Sequence, residues 1–319
     1  MAESKAVVYG AIAANVAIAV TKFVVAGMTG SSAMLSEGIH SAVDSGNGVL
    51  LLVGMHLSER PATAEHPFGH GKELYFWSLI VAVLIFGLGG GVSFYEGVRH
   101  WREPTVVDDP TWNYVVLAAA ALFEGISFGI ALRQFRRDTR GRPFWRALLG
   151  SKDPSTFTVL VEDGAALTGL AIAAAGVYAS HALQVPELDG GASMLIGLLL
   201  AIVAVLLIRE SRSLLIGEGI RPETARRIRE LALAGAEIEQ VGTPLSMYVG
   251  RDDVLLALDV QFKPGTSVER VVAAVARVER EVRAQFPMIR QIYVEAAQLS
   301  GRGARAQPAA VPADGTPSR

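Results

Sequence analysis

The sequence predicts a membrane protein, an all-α bundle of six transmembrane helices followed by a small α+β domain in the order αββαβ. Three observations predict it. Hydrophobic residues make up 51% of the 319, and the mean hydropathy is +0.36, which suits a lipid-embedded chain better than a soluble enzyme. Six stretches are each apolar over about 20 residues, the length a spanning helix needs. After Arg209 the composition turns to that of a soluble domain.

The predicted spans run Ala6–Gly27, Ala33–Leu57, Phe76–Val98, Tyr114–Leu132, Thr156–His181 and Ala192–Ile208. Met1 to Lys5 lead into the first without a signal-peptide cleavage pattern, so that run reads as a span. The third carries Gly87-Leu88-Gly89-Gly90-Gly91, small residues that let helices approach closely in lipid. The domains expected are a transmembrane domain over 1–209, a cytoplasmic dimerisation domain over 210–299 and a disordered tail over 300–319, rich in Gly, Ala, Pro and Arg.

Loop charges give the orientation. Arg136, Arg137, Arg140, Arg142, Arg146 and Lys152 crowd the connection before span five, and Arg60 and Lys72 lie after span two. The connections at 28–32 and 182–191 carry no Lys or Arg. Basic connections stay cytoplasmic, so both termini are expected in the cytoplasm. The compact chain and the lack of a targeting segment point to a bacterial inner membrane.

In the C-terminal part, Pro222-Glu223 opens a helix patterned by Ala225, Ile228, Leu231 and Ala232. Strands are predicted over Glu237–Val249 and Val254–Phe262, with Gly250 to Asp253 as the turn between them. Leu256, Leu258, Val260 and Phe262 alternate as a half-buried strand does. Thr266 with Glu269 reads as a capping box for a helix ending near Phe286-Pro287, and a last strand covers Arg290–Ala296.

Several function classes fall away. The net charge of −2 gives no field for nucleic acid. The absence of cysteine removes disulfides, thiolate metal sites and cysteine nucleophiles. No serine nucleophile motif and no HExxH is present, so an enzyme is not expected.

The informative residues are the charges inside the spans, each costing about 3 kcal/mol in lipid. Span two holds Glu37, His40 and Asp44; the last two are four apart and share one helix face. An imidazole and a carboxylate at that spacing can share a metal ion. Span five holds Glu162 and Asp163, which point about 100° apart round the helix. A tetrahedral site taking His40, Asp44 and Asp163 with a fourth group follows, against the plainer reading of hydrogen bonds between helices. Glu37 is expected near the outer mouth and Lys22 to snorkel, while Glu96 and Glu124 read as proton relays or, by preference, as groups that pair helices. The loop after span two places His66 and His70 beside acids, which reads either as a second metal site or as histidines capping the third helix.

At these residues the chain resembles the cation diffusion facilitator family. Ser32-Ala33-Met34-Leu35-Ser36-Glu37-Gly38-Ile39-His40-Ser41-Ala42-Val43-Asp44 is similar to its second-helix signature. His66-Pro67-Phe68-Gly69-His70-Gly71-Lys72-Glu73 is similar to its following loop. Asp153-Pro154 with the run Val161 to Leu170 resembles the zinc-transporter-nine-like branch. The resemblance implies a homodimeric six-span transporter with a metallochaperone-like cytoplasmic domain, expelling zinc or a related divalent cation in exchange for protons by alternating access. The cation is then cargo, and no cofactor is implied. His40, Asp44 and Asp163 match transport-site ligands, and His66 and His70 match loop ligands.

The sequence departs from the family pattern at Val159, where a fourth ligand is usual and for which Glu162 is the candidate substitute, and at Thr63, where a loop acid is usual. All six histidines precede residue 182, so the cytoplasmic domain is expected to dimerise through apolar faces without a histidine metal site. The second reading is a metal-sensing or scaffolding membrane protein that binds without transporting.

Overall fold

The computed structural model describes residues 2–105, 109–139 and 154–297. The basic residues at 140–152, Asp153 and the tail from Ser300 lie outside the described residues. The chain divides into two compact units, Met1–Ile216 and Gly217–Arg319.

The first unit contains six long helices among the described residues: α1 (Ala2–Thr29), α2 (Ser32–Ser58), α3 (Glu73–Arg102), α4 (Thr111–Asp138), α5 (Pro154–Leu183) and α6 (Glu187–Ile216). Their ends lie beyond the predicted spans. α6 differs most, starting at Glu187 and running to Ile216, with Asp189, Ser211 and Leu214 buried outside the purely apolar stretch. Glu73–Arg102, Thr111–Arg137, Val159–Leu183 and Glu187–Ile216 are long and apolar enough to cross a membrane by length and composition.

α2 is of similar length to these but more polar, and its burial explains why. Its inward face carries Ser36, Glu37, His40, Ser41, Ser45 and Asn47, while Val49, Val53 and Met55 are exposed. A soluble amphipathic helix buries its apolar stripe; α2 does the reverse, as a helix between lipid and a polar interior must.

α3 and α6 meet backbone to backbone. A Cβ on Gly97 would stand 2.6 Å from Met194 N, and one on Gly197 would stand 2.6 Å from Phe94 N. Of the predicted glycine run, Gly90 faces α6 and Gly87 faces open space. The middle of α3, Ile85–Val92, winds as a π-helix. α1 and α2 are joined at Gly30, whose φ of 72° is the left-handed region open to glycine. Ser31 then caps α2 by accepting from Met34 N at 3.1 Å.

The second unit contains α7 (Pro222–Leu233), β1 (Ile238–Val241), β2 (Leu245–Gly250), β3 (Asp253–Phe262), α8 (Val268–Gln285) and β4 (Ile289–Ala296). The single strand predicted over Glu237–Val249 is two strands, so the order is αβββαβ. The break falls at Gly242-Thr243-Pro244, where Pro244 has no N–H for a ladder.

β3 is the central strand. β1 pairs antiparallel with its 260–262 end, β2 antiparallel with its 253–257 half, and β4 runs parallel along residues 254–260. Val254, Leu256, Leu258 and Val260 are buried, as the alternation predicts. Ile228 and Ala232 of α7 and Ala274, Val278 and Val282 of α8 are buried as well.

The cap of α8 shifts by one residue from the prediction. Ser267, not Thr266, accepts from Arg270 N, and Thr266 instead donates to Lys263 O at 2.7 Å. With Ser267 as the cap, Glu269 stands at the second helical position, not the third that a capping box uses. Its own backbone N–H, and after it the Ser267 hydroxyl, hold its carboxyl below the usual range.

Candidate metal-transport site

The candidate site grows from the seam between α2 and α5. The helices run antiparallel there, and two contacts mark their register. At one end Asn47 Nδ2 donates to Glu162 Oε1 at 3.2 Å. At the other, Glu37 Oε1 lies where a Cβ on Gly169 would come within 2.5 Å. His40 and Asp44 fall between these marks on α2, and Asp163 falls between them on α5. The helices that sequence spacing made separate candidates therefore face each other.

His40 is buried, and its Nε2 stands 3.5 Å from Asp44 Oδ2. Neither ring nitrogen of His40 makes a hydrogen bond among the described residues, and Asp44 Oδ1 makes none either. Buried polar atoms are nearly always satisfied, so three orphans in one place are unusual. Asp44 lies in electrostatic range of His40, Lys22 and Glu37, and Asp163 in range of Asp44 and His40.

Glu162 and Asp163 divide between neighbours, as their angular separation on the helix requires. Glu162 accepts from Asn47 on α2, and Asp163 Oδ2 accepts from Ser127 Oγ on α4 at 2.8 Å. Glu124, half-buried on α4, is in electrostatic range of both Asp44 and Asp163. In this conformation no three His, Asp or Glu side chains among the described residues are arranged to hold one ion. The donor set still suits a divalent ion of borderline softness, because imidazole and carboxylate ligands adjoin in a buried place.

Three expectations about the charged residues are corrected. Lys22 does not snorkel; it is 1% exposed and pairs with Glu37 at 3.0 Å and with Ser41 Oγ at 2.8 Å. Glu37 is not at a mouth but fully buried. Both follow from packing, since α1 lies against the polar face of α2 and supplies an interior partner that hydropathy cannot reveal. Glu96 pairs with Arg99 on its own helix rather than across helices.

Asp189 was missed by sequence reading, which placed it in a connection. It is buried on α6 and accepts from Ser31 Oγ, from Ser32 N and Oγ, and from Ala33 N, thereby capping α2 from another helix. His100 of α3 stands 3.7 Å from the same carboxylate. Ser193 of α6 hydrogen-bonds Ser36 of α2 and donates to Ser93 O of α3 at 2.9 Å. These contacts seat the first turns of α2, and hence the height of His40. The only hint in the sequence was an acid amid small residues at the start of a span.

The loop site is built differently. The His66 and His70 rings lie 4.6 Å apart, tilted by 37°. Thr63 donates its N–H to His66 O and accepts from His66 N, closing the loop where an acid was expected. His70 Nδ1 is 3.1 Å from Pro61 O, and His70 O accepts from Glu73 N at the start of α3. Two imidazoles adjoin, without a third ligand gathered beside them among the described residues.

Comparison with known proteins agrees with this architecture. Residues 8–216 match the cation efflux transmembrane domain. The chain is 34% identical over 236 residues to the proton-coupled zinc antiporter SLC30A9, mitochondrial, of Homo sapiens, a match covering 73% of this chain and 42% of that protein. It is 30% identical over 260 residues to metal tolerance protein C4 of Arabidopsis thaliana, covering 81% of this chain and 57% of that one. It is 23% identical over 296 residues to the magnetosome protein MamM of Paramagnetospirillum magneticum, covering 92% and 88%. The chain thus spans about two-fifths of the length of the zinc antiporter it matches. With its long apolar helices and the matched domain, the chain is an integral multi-pass membrane protein and belongs to the cation diffusion facilitators, a family of transporters rather than enzymes.

Proposed function

We infer that this chain exports a divalent metal cation, zinc foremost, in exchange for protons by alternating access. The observation that carries the reading is the buried His40, neither of whose ring nitrogens makes a hydrogen bond among the described residues, beside Asp44 on the α2–α5 seam. A group left unsatisfied in a protein interior costs about 1–3 kcal/mol, which a ligand that comes and goes explains better than a fixed helix contact does. The names of the zinc antiporter and the metal tolerance protein support the same cargo class.

His40, Asp44 and Asp163 are the proposed ligands, with Glu162 the candidate fourth in place of Val159. Ser127 engages one oxygen of Asp163 and Asn47 one oxygen of Glu162, which leaves each carboxylate a second oxygen for the ion. A metal ligand must be a neutral imidazole or an ionised carboxylate, so binding releases protons and protonation releases metal. The loop pair His66 and His70 is proposed as a weaker second site. A homodimer held by the second unit, both termini in the cytoplasm and a bacterial inner membrane complete the proposal.

Purified protein in proteoliposomes, offered zinc, manganese, iron and cobalt under an imposed pH gradient, tests it. Wild type is expected to move zinc and counter-move protons, and Asp44→Ala or Asp163→Ala to abolish both. Full zinc flux in either variant defeats the reading. Metal binding without any proton movement would instead favour a sensor, the alternative that Val159 in a ligand position allows.

A further inference from the structure

We propose that Lys22 is a tethered cation guarding a second, transient stop for the metal ion at the Glu37 carboxylate. This rests on the reading of His40, Asp44 and Asp163 as the transport ligands. Glu37 lies one helical turn from His40, on the side away from Asp44 and toward the Gly30 end of the bundle.

The observations are independent of those ligands. Lys22 and Glu37 are 1% and 0% exposed, and their charged atoms are 3.0 Å apart. Lys22 also donates to Ser41 Oγ at 2.8 Å, so it bridges two successive turns of α2. Glu37 uses only one oxygen in this pair. Its Oε1 has no hydrogen-bond partner among the described residues and fills the space that Gly169 leaves on α5. The carboxylate therefore stands in the same seam as the transport ligands, with one oxygen still able to bind.

A buried ion pair seldom stabilises a protein better than apolar packing would, and in lipid its members are expensive. This pair has a use if its cation is exchangeable. A metal ion stepping from Asp44 toward the Gly30 end meets Glu37 next, and must displace the Lys22 ammonium to use it. Lys22 rides on α1 and Glu37 on α2. Any shift of α1 along α2 that withdraws Lys22 opens the carboxylate, and the returning ammonium then expels the ion. Lys22 is thus a positioning residue for release, acting through Glu37.

The test is zinc titration of the purified full-length protein in detergent, beside zinc uptake in proteoliposomes. Removing a fixed positive charge within about 10 Å of a divalent ion strengthens its binding, so Lys22→Met is expected to lower the zinc Kd about tenfold while slowing turnover. Glu37→Gln, which leaves the ammonium uncompensated, is expected to raise Kd about tenfold. Lys22→Met with Glu37→Gln removes both charges without leaving either alone, and is expected to return Kd to within about threefold of wild type. Lys22→Arg should keep wild-type affinity. Opposite shifts, cancelled in the double, show that both charges act on the ion; a second, weaker zinc equivalent in Lys22→Met that is lost when Glu37→Gln is added is what a purely structural pair would not produce. Wild-type Kd in all of them, with only the unfolding temperature lowered, overturns the proposal. Zinc binding that survives Asp44→Ala instead defeats the reading on which it rests.

Discussion

Asn47 on α2 and Glu162 on α5 are joined by a 3.2 Å hydrogen bond, and beside it Asp44 and Asp163 lie in electrostatic range of each other. Asp44 lies three residues before Asn47, and Asp163 directly follows Glu162. Replacing the amide by an apolar side chain leaves Glu162 without its donor in the interior. Asn47→Leu is expected to cost about 1–3 kcal/mol, seen as a lower unfolding temperature in detergent. Zinc transport should fall with it, and an unchanged unfolding temperature would show that the bond contributes nothing.

Asp189 holds the start of α2 by accepting from two serines and the backbone of Ser32 and Ala33. Asp189→Ala strands those donors, at an expected cost of about 3 kcal/mol or more because several buried partners are lost together. Asp189→Asn keeps the shape and part of the acceptor capacity, so it should be milder. Equal stability of the two variants, read by thermal unfolding, would count against a capping role.

Two glycines of α3 make a matched pair of tests. Gly97→Ala would place a methyl 2.6 Å from Met194 N, whereas Gly87 has open space. Overpacking of that kind costs about 1–3 kcal/mol, so Gly97→Ala should lower the unfolding temperature while Gly87→Ala should not. Similar behaviour of the two variants would deny the backbone contact between α3 and α6.

In the second unit, burial pushes the Asp253 carboxyl above its usual value of 3.8, with Arg290 opposing. The unfolded chain therefore loses this proton at lower pH than the folded one does. Stability drops as pH rises from that unfolded value through the raised folded one, and the penalty is complete above it. Asp253→Asn removes the penalty. It should stabilise β3 against hydrogen exchange at neutral pH and give little gain in acid, and a gain of the same size at both would contradict this origin.

Hydrophobic runs and their breaks are local properties, so the six helices, the change of composition after Arg209 and the alternation of β3 are legible in the chain alone. The shared helix face of His40 and Asp44, on which the proposed metal site rests, was legible because four-residue spacing on a helix needs no partner to interpret. The single predicted strand over Glu237–Val249 failed where Pro244 interrupts the ladder, a local signal that was present and underweighted. Which way each helix turns in the bundle was not local at all. That Lys22 meets Glu37, that Asp163 meets Ser127 and that Asp189 reaches α2 emerges from the packed bundle. Hydropathy reports that a charge sits in lipid but not which neighbour satisfies it, and that is decided by helix rotation and crossing, which the packing of Gly97 and Gly197 and the polar face of α2 impose together.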